Sequence, residues 1–224
     1  MSTKKFRIAA TFVGILSLFP SIASAAEVQT FSNTSPITIP DSGPGSPDPL
    51  GLLVSGVGSV TDITVSLYGF THTSPSDVGA LLVGPTGQTV VLMDGAGGFT
   101  PVSGLVLSFD DQATTQLPYF TALTSGTYVP GSFYSDTFSS PAPQGPYGSL
   151  LNSFDGINAN GVWSLYLEDF SPGNSGALTG GYAITVTSVP EPSTYMLFAA
   201  GISVLWLSRR RLGKASEGQP LSMA

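Results

Sequence analysis

Cysteine is absent from the 224 residues, histidine occurs once, and only 9% of positions are charged, against roughly 25% in an ordinary soluble domain. The missing cysteine excludes a disulfide scaffold and, with a single histidine, leaves zinc almost no ligands. Basic residues are missing from the whole stretch between residues 8 and 208, because Lys4, Lys5, Arg7, Arg209, Arg210, Arg211 and Lys214 are all seven of them. Residues 26 to 190 carry twelve acids and no base, so nothing there can replace the counterions of a phosphate backbone; nucleic acid and anionic lipid are excluded as partners of this region. What is present is apolar and turn-rich: 42% hydrophobic residues, 27 Gly and 18 Pro. The length suits one domain of about 150 residues with appended segments.

The two ends write an address. Lys4, Lys5 and Arg7 precede an apolar run from Ile8 to Phe19, a Pro20 breaker and the small-residue sequence Ala23-Ser24-Ala25. This predicts a secretory signal peptide over residues 1–25, handled by the Sec machinery and cut by signal peptidase between Ala25 and Ala26. At the other end, Val189-Pro190-Glu191-Pro192-Ser193-Thr194 leads into an apolar run and then the triplet Arg209, Arg210 and Arg211, a membrane stop that fixes the cytoplasmic side. A transmembrane helix over 194–208 is the expectation, with 212–224 as a cytoplasmic tail.

Val189-Pro190-Glu191-Pro192, a short apolar helix and an arginine cluster together closely resemble the PEP-CTERM sorting signal of Gram-negative bacteria, here spanning 189–211. The resemblance implies export through the inner membrane, retention there as a precursor facing the periplasm, and processing at the motif by an exosortase, a membrane cysteine transpeptidase. The mature form would then lie at the cell surface or be secreted.

Between the signals, residues 26–188 read as an all-β protein, since short apolar stretches alternate with Gly, Pro, Ser and Asp punctuation. Ile63, Val65 and Leu67 alternate with Thr64 and Ser66; Trp163, Leu165 and Leu167 alternate with Ser164, Tyr166 and Glu168. Both patterns predict strands with one buried and one wet face, and Tyr182, Ile184 and Val186 repeat them. Ala80 to Val83, Thr89 to Met93 and Leu105 to Leu107 lack alternation and suit central strands. Gly84-Pro85-Thr86-Gly87 predicts a hairpin turn, and Ser171 to Gly176 another between the last two strands.

Taken in order, Ile39-Pro40-Asp41, Val60 to Ile63, His72-Thr73, Asp77-Val78, Gly84 to Gly87, Phe109-Asp110-Asp111, Gly126 to Pro130 and Gly161 to Leu165 resemble the P-domain (P/Homo B). That is the jelly-roll β-sandwich that follows the catalytic domain of subtilisin-like proprotein convertases. The likeness runs over about residues 36 to 187, with Pro141 to Tyr147 as a loop insertion. The protease activity does not transfer, because the chain has no room for a catalytic domain of that kind.

For chemistry, His72 is the sole histidine a nucleophilic triad could use as its base, and it is expected to hydrogen-bond within the fold. Neighbouring carboxylates Asp110-Asp111 and Glu168-Asp169 point to opposite strand faces, which disfavours a hydrolase. Calcium is the metal this composition could serve, through hard oxygens alone. Asp77, Asp110, Asp111 and Asp169 are its candidate ligands, the alternative being unrelated solvated strand ends. Tyr119, Phe120, Tyr134 and Tyr147 could stack on an exopolysaccharide. The expectation is an exosortase-sorted surface or matrix protein with no enzyme activity. A binding module for polysaccharide or for a separate subtilisin-like protease is the alternative, and a weak carboxylate hydrolase is third.

Overall fold

The computed structural model describes residues 25–189 and 201–206. Thirteen strands carry the fold: β1 (Glu27–Asn33), β2 (Ile37–Ile39), β3 (Gly43–Pro44), β4 (Leu50–Val54), β5 (Ser59–His72), β6 (Val78–Val83), β7 (Thr89–Asp94), β8 (Val102–Phe109), β9 (Gly126–Tyr128), β10 (Gly131–Ser132), β11 (Gly161–Asp169), β12 (Gly176–Leu178) and β13 (Tyr182–Val189). Between residues 25 and 189 helix is confined to two single 3-10 turns, Pro75–Asp77 and Leu151–Phe154. The chain is an all-β sandwich of two sheets.

The first sheet is organised on β5. Along one edge of β5 run β13 and then β12, backed by β1 and β2; along its other edge runs β8, extended by the parallel β9. The second sheet runs β10, β7, β6, β11, with β3 and β4 both pairing β11. Ile63, Val65, Leu67, Ile184 and Val186 face Leu82, Trp163, Leu165 and Leu167 across one continuous buried core, as the period-2 patterns predict. Trp163 is fully buried, donates its indole N–H to the Ala159 carbonyl at 2.9 Å and meets the Phe154 ring at 4.8 Å. Tyr182, equally buried, donates its hydroxyl to backbone carbonyls of the second sheet, Trp163 O (3.0 Å) and Leu50 O (3.2 Å), tying the sheets together.

β5 is fourteen residues long and keeps its inward face only by slipping register against β8 beyond Tyr68. Gly69 makes the slip possible: its φ of +74° is open to glycine and strained for other residues. After it, Phe70 and His72 still point inward.

Three expectations are corrected. Leu105 to Leu107 is not a central run: Leu107 is buried but Val106 is 40% exposed, and β8 has only the short β9 on its far side. Residues 171 to 175 do not form a hairpin; they carry the chain from β11 in the second sheet to β12 in the first. The second face of β11 is not wet. Tyr166 joins Leu81, Val91, Phe138 and Ala142 in a second apolar cluster on the outer side of that sheet. The segment 133–149, which contains the predicted insertion, forms the cover: Phe138 packs edge-on against Tyr147 and Phe170. Glu168, 5% exposed, pins it by accepting the Ser139 N–H (2.7 Å) and hydroxyl (2.6 Å). Two-sided burial explains why β6 and β7 show no alternation.

Candidate functional site

One end of the sandwich gathers the end of β5, the turn Pro75–Asp77, the end of β7, the segment after β10 and the end of β11. The lone histidine sits there, 1% exposed. His72 Nδ1 lies 2.8 Å from the Ser74 carbonyl oxygen and 3.2 Å from the Ser74 backbone nitrogen, so the Ser74 backbone holds it in either tautomer. Nε2 lies 3.1 Å from Oδ2 of Asp169, at the end of β11 in the facing sheet. The close approach of these two buried groups makes the pair a bridge across the sandwich. Burial raises the Asp169 pKa most, and Asp77 and Asp41 add to it, while the Ser171 N–H and His72 oppose the rise. Gly176 packs against the imidazole so closely that a Cβ would collide with His72 Cδ2 and the Thr71 carbonyl. One ring nitrogen is held by the Ser74 backbone and the other faces Asp169 away from solvent, which makes this histidine a bridge between the sheets.

The four proposed calcium ligands are not brought together, which corrects that grouping. Asp169 sits at His72, near one end of β5, with Asp77 bound by the Asn174 amide at 3.0 Å. Asp110 sits at Thr64, eight residues earlier on β5, which is about 25 Å along an extended strand. Each carboxylate there is committed to the loops. Asp110 accepts Gln112 N–H (2.7 Å), and Asp111 accepts the N–H groups of Leu151 (2.9 Å) and Asn152 (2.8 Å), closing the start of the second 3-10 turn. Among the described residues no group of three or more His, Asp or Glu side chains is arranged to hold a metal ion.

Around Asp77 the surface opens into a cleft of about 720 Å³. Ser76, Asp77, Phe99, Phe133 to Asp136, Phe170 and Ser171 line it. Its rim is aromatic. Tyr119 stacks on Phe133 at 4.7 Å and touches Phe120 at 3.9 Å, while its hydroxyl donates to that of Tyr134 at 3.4 Å. Phe120 and Phe99 are 74% and 72% exposed. Hydrogen bonds from Gly97 N–H to Pro118 O (2.7 Å) and Gly98 N–H to Tyr119 O (3.0 Å) hold the two aromatic loops together. Tyr119, Phe120 and Tyr134, three of the four loop aromatics named from the sequence, thus converge, joined by Phe99 and Phe133, which were not singled out. Tyr147 does not join them: its hydroxyl donates to Pro143 O and accepts Phe138 N–H inside the outer cover.

Beyond Tyr134 lies a second cleft of about 340 Å³, shared with the first through Tyr134, Ser135 and Asp136. Asp94, the last residue of β7, lines it. Its pKa is pushed up to about 6, chiefly by burial; the Ser132 hydroxyl opposes the rise and the Asp136 charge adds to it.

Comparison with known proteins decides the address written by the C-terminus. Residues 188–211 match the PEP-CTERM protein-sorting motif. The PEP-CTERM match implies recognition by an exosortase, export and sorting to the cell surface. Of the motif proper, Val189 ends β13 and is exposed, while Pro190, Glu191 and Pro192 and the stop Arg209 to Arg211 lie outside the described residues, as does all but Ala25 of the signal peptide. Within the expected transmembrane segment 194–208, residues 201–206 are helical; among the described residues no helix is long and apolar enough to cross a membrane. No curated protein matches the chain.

Proposed function

We propose that the chain is a non-enzymatic surface module. A signal peptide and a PEP-CTERM tail deliver it through a Gram-negative inner membrane, and its P-domain-like sandwich binds extracellular polysaccharide at the aromatic-rimmed end. The observation that carries this reading is the exposure of Phe99 and Phe120, where Phe99 lines a cleft together with Asp77 and Asp136. Large apolar rings left in water around a polar concavity mark a binding site more often than a packing accident. Ring faces suit the C–H faces of pyranoses, while carboxylates and serine hydroxyls accept and donate to sugar hydroxyls. The absence of any base in this region selects for neutral glycans over acidic ones. The order of sequence blocks from Ile39 to Leu165 supports the P-domain likeness, and the burial of His72, 1% exposed, supports a role without catalysis.

Affinity electrophoresis of the full chain through gels containing neutral polysaccharides tests the reading. Phe99→Ala and Phe120→Ala, both at exposed positions, are expected to weaken retardation at least tenfold each, or about 1.4 kcal/mol, with unchanged melting. Retardation by a neutral polysaccharide that survives both substitutions, or no retardation by any, overturns it.

A further inference from the structure

Among the described residues two acids have a buried oxygen without a hydrogen bond: Asp169, whose Oδ2 faces the imidazole of His72 at 3.1 Å, and Asp94, which has no histidine beside it. Asp94 is 3% exposed. Its Oδ2 accepts the Ser132 hydroxyl at 2.9 Å, but Oδ1 is buried with no hydrogen-bond partner. A buried carboxylate oxygen without a donor is strongly unfavourable, and no lysine or arginine exists between residues 8 and 208 to supply one. The charge of Asp136 raises the Asp94 pKa further, and only the Asp136 backbone N–H, with the Ser132 hydroxyl, opposes the rise. Both carboxylates line the 340 Å³ cleft, together with Ser132, Ser135 and Thr137.

We propose that Asp94 and Asp136 hold a hard divalent cation of the calcium class in this cleft. Every side-chain donor named there is oxygen; no sulfur or imidazole faces it, which disfavours zinc and copper. Calcium takes six to eight oxygens at variable angles, so two carboxylates, hydroxyls and water suffice, whereas magnesium demands a stricter octahedron. With only two charges the affinity falls in the weak class of extracellular modules, with a dissociation constant on the order of 10⁻⁴–10⁻³ M. The site differs from the grouping of Asp77, Asp110, Asp111 and Asp169, and it stands independently of the polysaccharide reading. Its competitor is a single proton shared between the two carboxyl groups, which would fill the same gap without a metal.

Terbium, a luminescent calcium stand-in, separates the two. Tyr134 lines the cleft, so its excitation should sensitise bound terbium. In 0.5 M NaCl, where the screening length is about 4 Å, the full-length chain in detergent is expected to give saturable emission that calcium displaces. Asp136→Asn, at a half-buried position that leaves the core intact, should weaken terbium and calcium binding at least tenfold. Asp94→Asn should do the same, and Asp110→Asn, at the far end of the sandwich, should change neither. If Asp94→Asn fails to fold, Asp136→Asn alone decides. No saturable emission in the unmodified chain, or binding that survives Asp136→Asn, overturns the proposal and leaves the shared proton as the explanation.

Discussion

Phe138→Ala tests whether the outer layer belongs to the cooperative core. The ring is 2% exposed, sits over Gly79, and meets Phe170 at 5.3 Å and Tyr147 at 5.7 Å, both edge-on. Truncating a buried phenylalanine to alanine costs about 3–5 kcal/mol, the spread reflecting how far the surroundings collapse into the gap. Here one wall is rigid sheet and the other is the segment 139–147, which can settle inward. The lower end, about 3 kcal/mol, is therefore expected. For a domain of this size that corresponds to a fall in Tm of roughly 6–12 °C. Thermal unfolding followed by circular dichroism reads it, with Trp163→Ala in the inner core as the reference for a full loss of about 3–5 kcal/mol. Hydrogen exchange supplies the second readout, because a cover that opens separately would lose protection over 139–147 while β6 and β11 kept theirs. An unchanged Tm for Phe138→Ala beside a large drop for Trp163→Ala would refute two-sided burial as a source of stability and reduce the cover to a loose flap.

Other outcomes follow from single contacts. Gly176→Ala is expected to destabilise by more than about 2 kcal/mol in urea unfolding, since the new methyl must displace His72 or the Thr71 carbonyl and break the bridge to Asp169; normal stability would mean that the bridge is dispensable. Asp48, whose pKa is raised to about 6 by burial first and the Glu168 charge second, binds its proton more tightly in the folded than in the unfolded state. Stability should therefore fall as pH rises from about 4 to 6 and stay lowered above that. Asp48→Asn should flatten this slope and gain up to about 1 kcal/mol at pH 7 after allowance for solvent screening; an unaltered slope rejects the assignment. Replacing Pro190, Glu191 and Pro192 together by alanine should hold the full-length chain in the inner membrane, as read by fractionation and mass; processing equal to the unmodified chain would remove the exosortase reading.

The parts of the fold that were legible from sequence are those whose two strand faces differ in chemistry. β5, β11 and β13 alternate because one face meets the other sheet, and β6 and β7 lack alternation because both faces are covered. β1 was not legible: Glu27–Asn33 has few apolar residues, and what holds it is the seven-residue register with β13, with Phe31 alone packing on the core. The outer layer was not legible either. Tyr166 and Glu168 look like a wet face until a segment from elsewhere in the chain supplies Phe138 above the one and Ser139 beside the other. At the candidate site, Tyr119, Phe120 and Tyr134 stood out as loop aromatics. Phe99 carried a comparable signal, a large apolar residue directly after Gly97-Gly98. Asp94 carried none, because an aspartate that ends an apolar run reads as an ordinary turn residue.

The one-sided charge of the domain has a structural origin. A sandwich built from short strands has many loop N–H groups with no strand partner, and a carboxylate is the side chain that best satisfies them. Asp41 accepts the N–H groups of Gly173 and Asn174, Asp110 that of Gln112, Asp111 those of Leu151 and Asn152, Glu168 that of Ser139, and Asp169 that of Ser171. Five of the twelve acids thus close loops, and lysine or arginine could not replace them, since neither can accept a hydrogen bond. The same requirement explains why adjacent acids such as Glu168 and Asp169 are tolerated: one turns outward to the cover and the other inward to His72, so their charges serve different donors. The negative field is then a consequence of how the loops are closed. Asp94 stands apart from it, because its Oδ1 is buried without a hydrogen bond and no lysine or arginine lies between residues 8 and 208 to pair with it.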